Sequence, residues 1–88
     1  MTKIVFAESA WDDYLYWQET DKRILKKINA LLREICRTPF EGMGKPEPLK
    51  GDPDNSWSRR INEKDRLVYY VIDDQIQVKQ CKGHYDDK

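Results

Sequence analysis

No run in this sequence approaches the roughly 18 uninterrupted apolar residues of a membrane span, and no leader of charged then apolar residues opens it. A cytoplasmic protein that stays off membranes is therefore expected. Cysteine is scarce: Cys36 and Cys81 are too few and too far apart for a disulfide scaffold. Net charge is absent as well, because 16 Lys and Arg cancel 16 Asp and Glu. That balance argues against a general polyanion binder while leaving room for a local basic site. There is one histidine, His84, and neither a glycine-rich phosphate loop nor a Ser-His-Asp order. Cys81 and His84 have the spacing of half a zinc site, but Cys36 lies far off on a helical stretch, so no metal and no cofactor are expected. Internal repeats and low-complexity segments are lacking too.

What is present is an ordinary globular composition, 39% apolar and 36% charged over 88 residues. The whole chain, residues 1–88, reads as a single domain whose one modest core buries about 60–65% of the surface of the unfolded chain. Lys3-Ile4-Val5-Phe6 is a short strand candidate. Glu8 to Trp17 follows as a helix with acids in its first turn and with Trp11, Tyr14, Leu15 and Phe6 able to share a face. Thr20-Asp21 offers a break and a new N-cap. From Lys22 to Arg37, Ile24, Leu25, Ile28, Leu31, Leu32 and Ile35 make a helical apolar stripe, and Thr38-Pro39 ends it. The basic side of that helix (Lys22, Arg23, Lys26, Lys27, Arg33, Arg37) is either a solvated face or a surface for an acidic partner or nucleic acid.

The last third of the chain carries the strands. Trp57 to Ile61 and Arg66 to Ile72 are joined by the polar turn Asn62-Glu63-Lys64-Asp65, a hairpin pattern; Asp73-Asp74 marks a second turn, and Gln75 to Lys82 alternates apolar and polar. The expected class is α+β, in the order β-α-α-β-β-β, with two N-terminal helices packed on one face of a small antiparallel sheet and the other face open. Alternation places Arg60 out of phase with apolar Ile61 and Arg66 out of phase with Leu67, so both arginines can share the open face; Arg59 goes with Ile61 and reads as structural or edge-exposed. A guanidinium in mid-sheet needs solvent, an acid or an anion, so paired arginines on an open face suggest a phosphate platform.

Two further residues draw notice. The loop Phe40 to Asn55 is long for so small a domain, and Pro46 and Pro48 stiffen the backbone around Glu47. It is either a stiff exposed turn or a device that holds a carboxylate. His84 follows a strand expected to pair with the arginine-bearing hairpin, and an imidazole both donates and accepts protons near neutrality. A carboxylate, arginines and a histidine converging on an open sheet are the parts of a metal-free ribonuclease.

The segments SAWDDYLYWQETDKRILKKIN (9–29), RTPFEGMGKPEPLK (37–50), WSRRINEKDRLVYYV (57–71) and GHY (83–85) resemble those of YoeB-type toxins in the RelE-like superfamily, over nearly the whole chain. The resemblance implies a ribosome-dependent mRNA endonuclease that inhibits translation and is held inactive by a YefM-type antitoxin. It also implies a homodimer, with the toxin-antitoxin complex reaching operator DNA through the antitoxin. Carried across by position, it makes Glu47 the general base, His84 the general acid and Arg66 the transition-state arginine. Arg60 and Lys50 become phosphate-binding residues, and Tyr85 the terminal tyrosine at the catalytic site. The rival expectation is a non-catalytic RNA- or protein-binding module of the same fold. The chain departs from the family pattern at the acidic Gly51-Asp52-Pro53-Asp54-Asn55 and at the Asp86-Asp87-Lys88 extension.

Overall fold

The computed structural model describes residues 2–84. Strand β1 (Lys3–Phe6) leads into helices α1 (Glu8–Thr20) and α2 (Lys22–Arg37). These are followed by the short β2 (Glu47–Pro48), then β3 (Trp57–Arg60), β4 (Arg66–Ile72) and β5 (Gln75–Gln80). The five strands form one sheet in the order β1-β5-β4-β3-β2. Four neighbouring strands are antiparallel, as expected, while β1 joins β5 in parallel at one edge, so the sheet is mixed. The parallel pairing is possible because both helices and the hairpin lie between the two strands and supply the crossover that it requires. At the opposite edge β2 adds a strand not anticipated; Pro48, which lacks an N–H, fits an edge position.

Asp21 caps α2 as its position suggests: its side chain accepts hydrogen bonds from the amides of Arg23 (3.1 Å) and Ile24 (3.3 Å). The stripe Ile28, Leu31, Leu32 and Ile35 is buried against Leu67, Tyr69, Ile76 and Val78 of the sheet. The expected aromatic face of helix α1 forms, though the residues that the helix buries most deeply are others. Ala10 and Trp17 are its buried residues, while Trp11 remains 46% exposed and Leu15 37% exposed. Trp11 stacks on Tyr14, with Phe6 edge-on to both, at the margin of the core. Trp17 turns inward because its indole N–H finds the Cys81 carbonyl at 2.8 Å, which satisfies a buried donor. The turn at Asp73-Asp74 has both residues at positive φ (50° and 60°), the conformation that a tight two-residue hairpin demands. Among the described residues, no helix is long and apolar enough to cross a membrane.

Candidate active site

Strand register decides which side chains meet. Glu47 lies opposite Ser58, Ser58 opposite Val68, and Arg60 opposite Arg66. Cross-strand partners share a face, as do residues two apart, so Glu47, Ser58, Arg60 and Arg66 stand on one side of the sheet. The intervening Trp57 and Arg59 turn to the helical side, where Trp57 packs on the core and Arg59 reaches Glu34 of α2. Arg60 and Arg66 are thus directly opposed like charges, an arrangement that costs stability in a sheet unless an anion offsets it.

His84 reaches the same place from β5. After Gln80 the chain turns through Cys81-Lys82-Gly83, where hydrogen bonds from the rest of the fold hold it. The Cys81 amide donates to Asp13 Oδ2 (3.1 Å), the Gly83 amide to Asp65 Oδ1 (2.7 Å), and the Arg66 amide to the Gly83 carbonyl (2.9 Å). Asp65 is 5% exposed and is itself gripped by Asn62 Nδ2 at 3.0 Å. Gly83 has φ +89°, open to glycine and costly for other residues. The result is a cleft of about 240 Å³ lined by Glu47, Pro48, Leu49, Ser58, Arg60, Arg66 and His84. The Arg66 guanidinium is steadied by the Asn62 carbonyl at 2.7 Å and its neighbour Asp65's at 3.2 Å. One carboxylate, one imidazole and two guanidiniums around a small opening supply a proton acceptor, a proton donor and fixed positive charge to a phosphate-sized group. Cys81, by contrast, is buried beside Ala10, and burial pushes its thiol up to about 12.

Of the residues singled out in the sequence, Glu47, Arg60, Arg66 and His84 share this cleft. Lys50 is exposed one residue beyond buried Leu49 and is not among the cleft's lining residues. Tyr85, with the Asp86-Asp87-Lys88 extension, lies outside the described residues. Arg59 is structural. Its five N–H donors are all used: Nε to the Tyr69 hydroxyl, Nη1 to Glu34 (2.5 Å) and the Met43 carbonyl, Nη2 to the carbonyls of Thr38 and Glu41. The Met43 amide and then Arg59 hold the Glu34 carboxyl below the usual carboxylate range.

That network ties down the chain just before Glu47; a second one ties it just after. Lys79 of β5 reaches Asp52 (3.4 Å), Asp54 (3.2 Å) and the Ser56 hydroxyl (3.2 Å), while the Ser56 amide donates to Asp52 (2.8 Å). The Ser56 hydroxyl, then its amide and Lys79, keep Asp52 below the usual range. Burial works against the Lys79 ammonium, yet Asp54 and Asp52 outweigh it and raise its pKa. The acidic stretch that departs from the family pattern is therefore a latch on β5. Sequence reasoning passes over Asp13, Asp65, Glu34 and Lys79. Only Asp65 leaves a local trace, four residues from Ile61 in a turn where Asn62 and Asp65 bond each other.

Comparison with known proteins agrees with the resemblance. Residues 6–85 match the model of a YoeB-like toxin of bacterial type II toxin-antitoxin systems. Toxin YoeB of Escherichia coli K12 is 60% identical over 83 residues, 94% of this chain and 99% of its own. A YoeB dimer from Staphylococcus aureus is 48% identical with a TM-score of 0.89, covering 96% of this chain and 98% of that one. A heterotetrameric YoeB-YefM complex from the same organism gives 48% and 0.87, over 97% and 99% of the two chains.

Proposed function

This chain belongs to the YoeB-like toxins of bacterial type II toxin-antitoxin systems, and from that premise we propose that it is a ribosome-dependent mRNA endonuclease. The observation that carries this reading is the single cleft that Glu47, Arg60, Arg66 and His84 line together. In the proposed mechanism Glu47 takes the proton of a ribose 2′-OH, and the oxygen attacks the adjacent phosphate in line. Arg66 and Arg60 stabilise the charge that builds on the phosphorane, each worth several kcal/mol when preorganised, about 3 to 4 by analogy with oxyanion donors. His84 protonates the leaving 5′-oxygen. Lys50 contributes positive charge to the incoming strand from outside the cleft, and Tyr85, the next residue in sequence after His84, stacks on a base or orients the phosphate. No metal or cofactor enters these steps.

The chain acts in the cytoplasm on translating ribosomes, where cutting the message stops synthesis. The assemblies of the Staphylococcus aureus proteins support a homodimer and a YefM-type antitoxin as its partner; the complex meets operator DNA through the antitoxin. The test is the chemistry of the cut ends. Primer extension and end-group analysis of mRNA cleaved on purified ribosomes should find 5′-OH fragments beside 2′,3′-cyclic phosphates. Fragments with 5′-phosphate and 3′-OH ends would refute 2′-OH attack.

A further inference from the structure

A second hollow, of about 340 Å³, adjoins the cleft and shares Arg60 with it. Its other charged lining residues are Lys27 from α2, Lys45 from the loop and Glu63 from the hairpin turn. Three cations from three different elements therefore line the hollow, with one carboxylate among them. Among the described residues, none of the three cations has a carboxylate within ion-pair distance. In a chain whose charges cancel overall, this local excess is a property of the fold and not of composition.

The convergence is built into the backbone. The Arg60 amide donates to the Gly44 carbonyl at 2.7 Å, which fixes the loop alongside β3. Gly44 has φ +79°, and a Cβ there would stand 3.0 Å from the Arg60 carbonyl and 3.2 Å from Leu31 Cδ2, so only glycine permits this approach. Lys45 follows at φ 50°, a left-handed conformation uncommon outside glycine, beside Arg60. Lys27 is presented by a helix anchored through its apolar face, one residue before buried Ile28. Gathered at one hollow with a single carboxylate among them, these exposed cations set up a local positive potential that favours an anion.

We propose that the hollow formed by Lys27, Lys45 and Arg60 is a backbone-phosphate subsite for RNA, continuous with the catalytic cleft. The inference rests on the endonuclease reading, since Arg60 joins the two hollows and would touch the phosphates of one strand running through both. The ligand chemistry is the ribose-phosphate backbone, and its source is either the message beside the scissile bond or ribosomal RNA. Lysine serves here as a point charge, with no base to read, so the subsite adds affinity without sequence preference.

The test compares wild type with the Lys27→Gln, Lys45→Gln double variant, which touches neither the cleft residues nor the core. Two probes separate the sources: a short oligoribonucleotide made uncleavable by a 2′-deoxy residue, and ribosomes without message. Removing one lysine–phosphate pair should lower the slope of log affinity against log salt by about 0.7 on a single strand. With two such pairs, wild-type affinity falls about sevenfold more than the variant's between 50 and 200 mM salt. A reduced slope on the oligoribonucleotide assigns the subsite to the message; a reduced slope on ribosomes alone assigns it to ribosomal RNA. Equal slopes on both probes overturn it, as does a loss confined to antitoxin binding, which would give the hollow to an acidic protein segment. Wild-type protein that neither binds these probes nor cuts message would refute the endonuclease reading and the subsite with it, whereas binding and cutting with unchanged slopes refutes the subsite alone.

Discussion

Arg59 and Arg60 are neighbours in sequence and opposites in role. Arg59 is fully buried with every donor occupied, whereas Arg60 is exposed and faces Arg66 across the hairpin. Alternation alone separates them, because adjacent side chains in a strand point to opposite faces. Two different outcomes are expected on truncation. Arg66→Ala should slow single-turnover cleavage at least about a hundredfold, as removal of one transition-state charge does, with the thermal midpoint little changed. Arg59→Ala should instead cost stability, on the order of 3–5 kcal/mol, because it strips a buried network of its cation. Denaturant titration beside cleavage kinetics separates the two; a catalytic loss at Arg59 with full stability would overturn the assignment of faces. Glu34 gives this network a pH signature. Its folded pKa lies below its ordinary 4.5, so its contribution is present above that value and lost as pH falls through the lower folded value. Acid unfolding followed by circular dichroism should begin at higher pH in Arg59→Lys than in wild type, and Glu34→Gln should lose stability at neutral pH while becoming less sensitive to acid in this range.

At the level of elements, β2 is two residues long and pairs with β3 at only two positions, too little to hold Glu47 in place by itself. Its position depends on what grips the loop at each end: Arg59 with the carbonyls of Thr38, Glu41 and Met43 before it, and Lys79 with Asp52, Asp54 and Ser56 after it. Lys79→Met should free the second grip without touching the core. Hydrogen exchange at the amides of Leu49 and Ser56, which are bonded within the loop, should quicken, and cleavage should drop several-fold, while Lys79→Arg should keep both near wild type. The same latch should loosen in acid: Asp52 titrates below its ordinary 3.8, so its hold is complete above that value and is lost as pH falls through the lower folded one. Unchanged exchange in Lys79→Met would show that the loop holds itself. None of this is legible from the segment Gly51 to Asn55, which reads only as an acidic departure. An ion pair between residues 52 and 79 depends on how β5 crosses the sheet, and local spacing does not report that.

For the whole molecule, periodicity gives most of the architecture. The α2 stripe, its Asp21 cap, both turns and the phase of the hairpin all follow from rules acting within a few residues. Periodicity finds the Phe6, Trp11 and Tyr14 face of helix α1 but passes over Trp17, because only the Cys81 carbonyl across the fold selects that residue for the interior. The parallel β1-β5 edge is hidden for a similar reason, since the two strands lie at opposite ends of the chain. In the cleft, the residues proposed to do chemistry are legible by type, while those that hold the His84 turn, Asp65 and Asp13, emerge only from tertiary contacts. The central claim is that Glu47 and His84, brought by separate elements to one cleft, form an acid-base pair for cutting RNA. Single-turnover cleavage of message on ribosomes by saturating wild type, Glu47→Gln and His84→Gln tests it most directly. Each substitution should slow cleavage by about a hundredfold or more with ribosome binding retained, and the double variant should be little worse than the slower single one, as for residues acting as a unit. Near wild-type rates in both single variants would contradict the account and leave the cleft a binding surface.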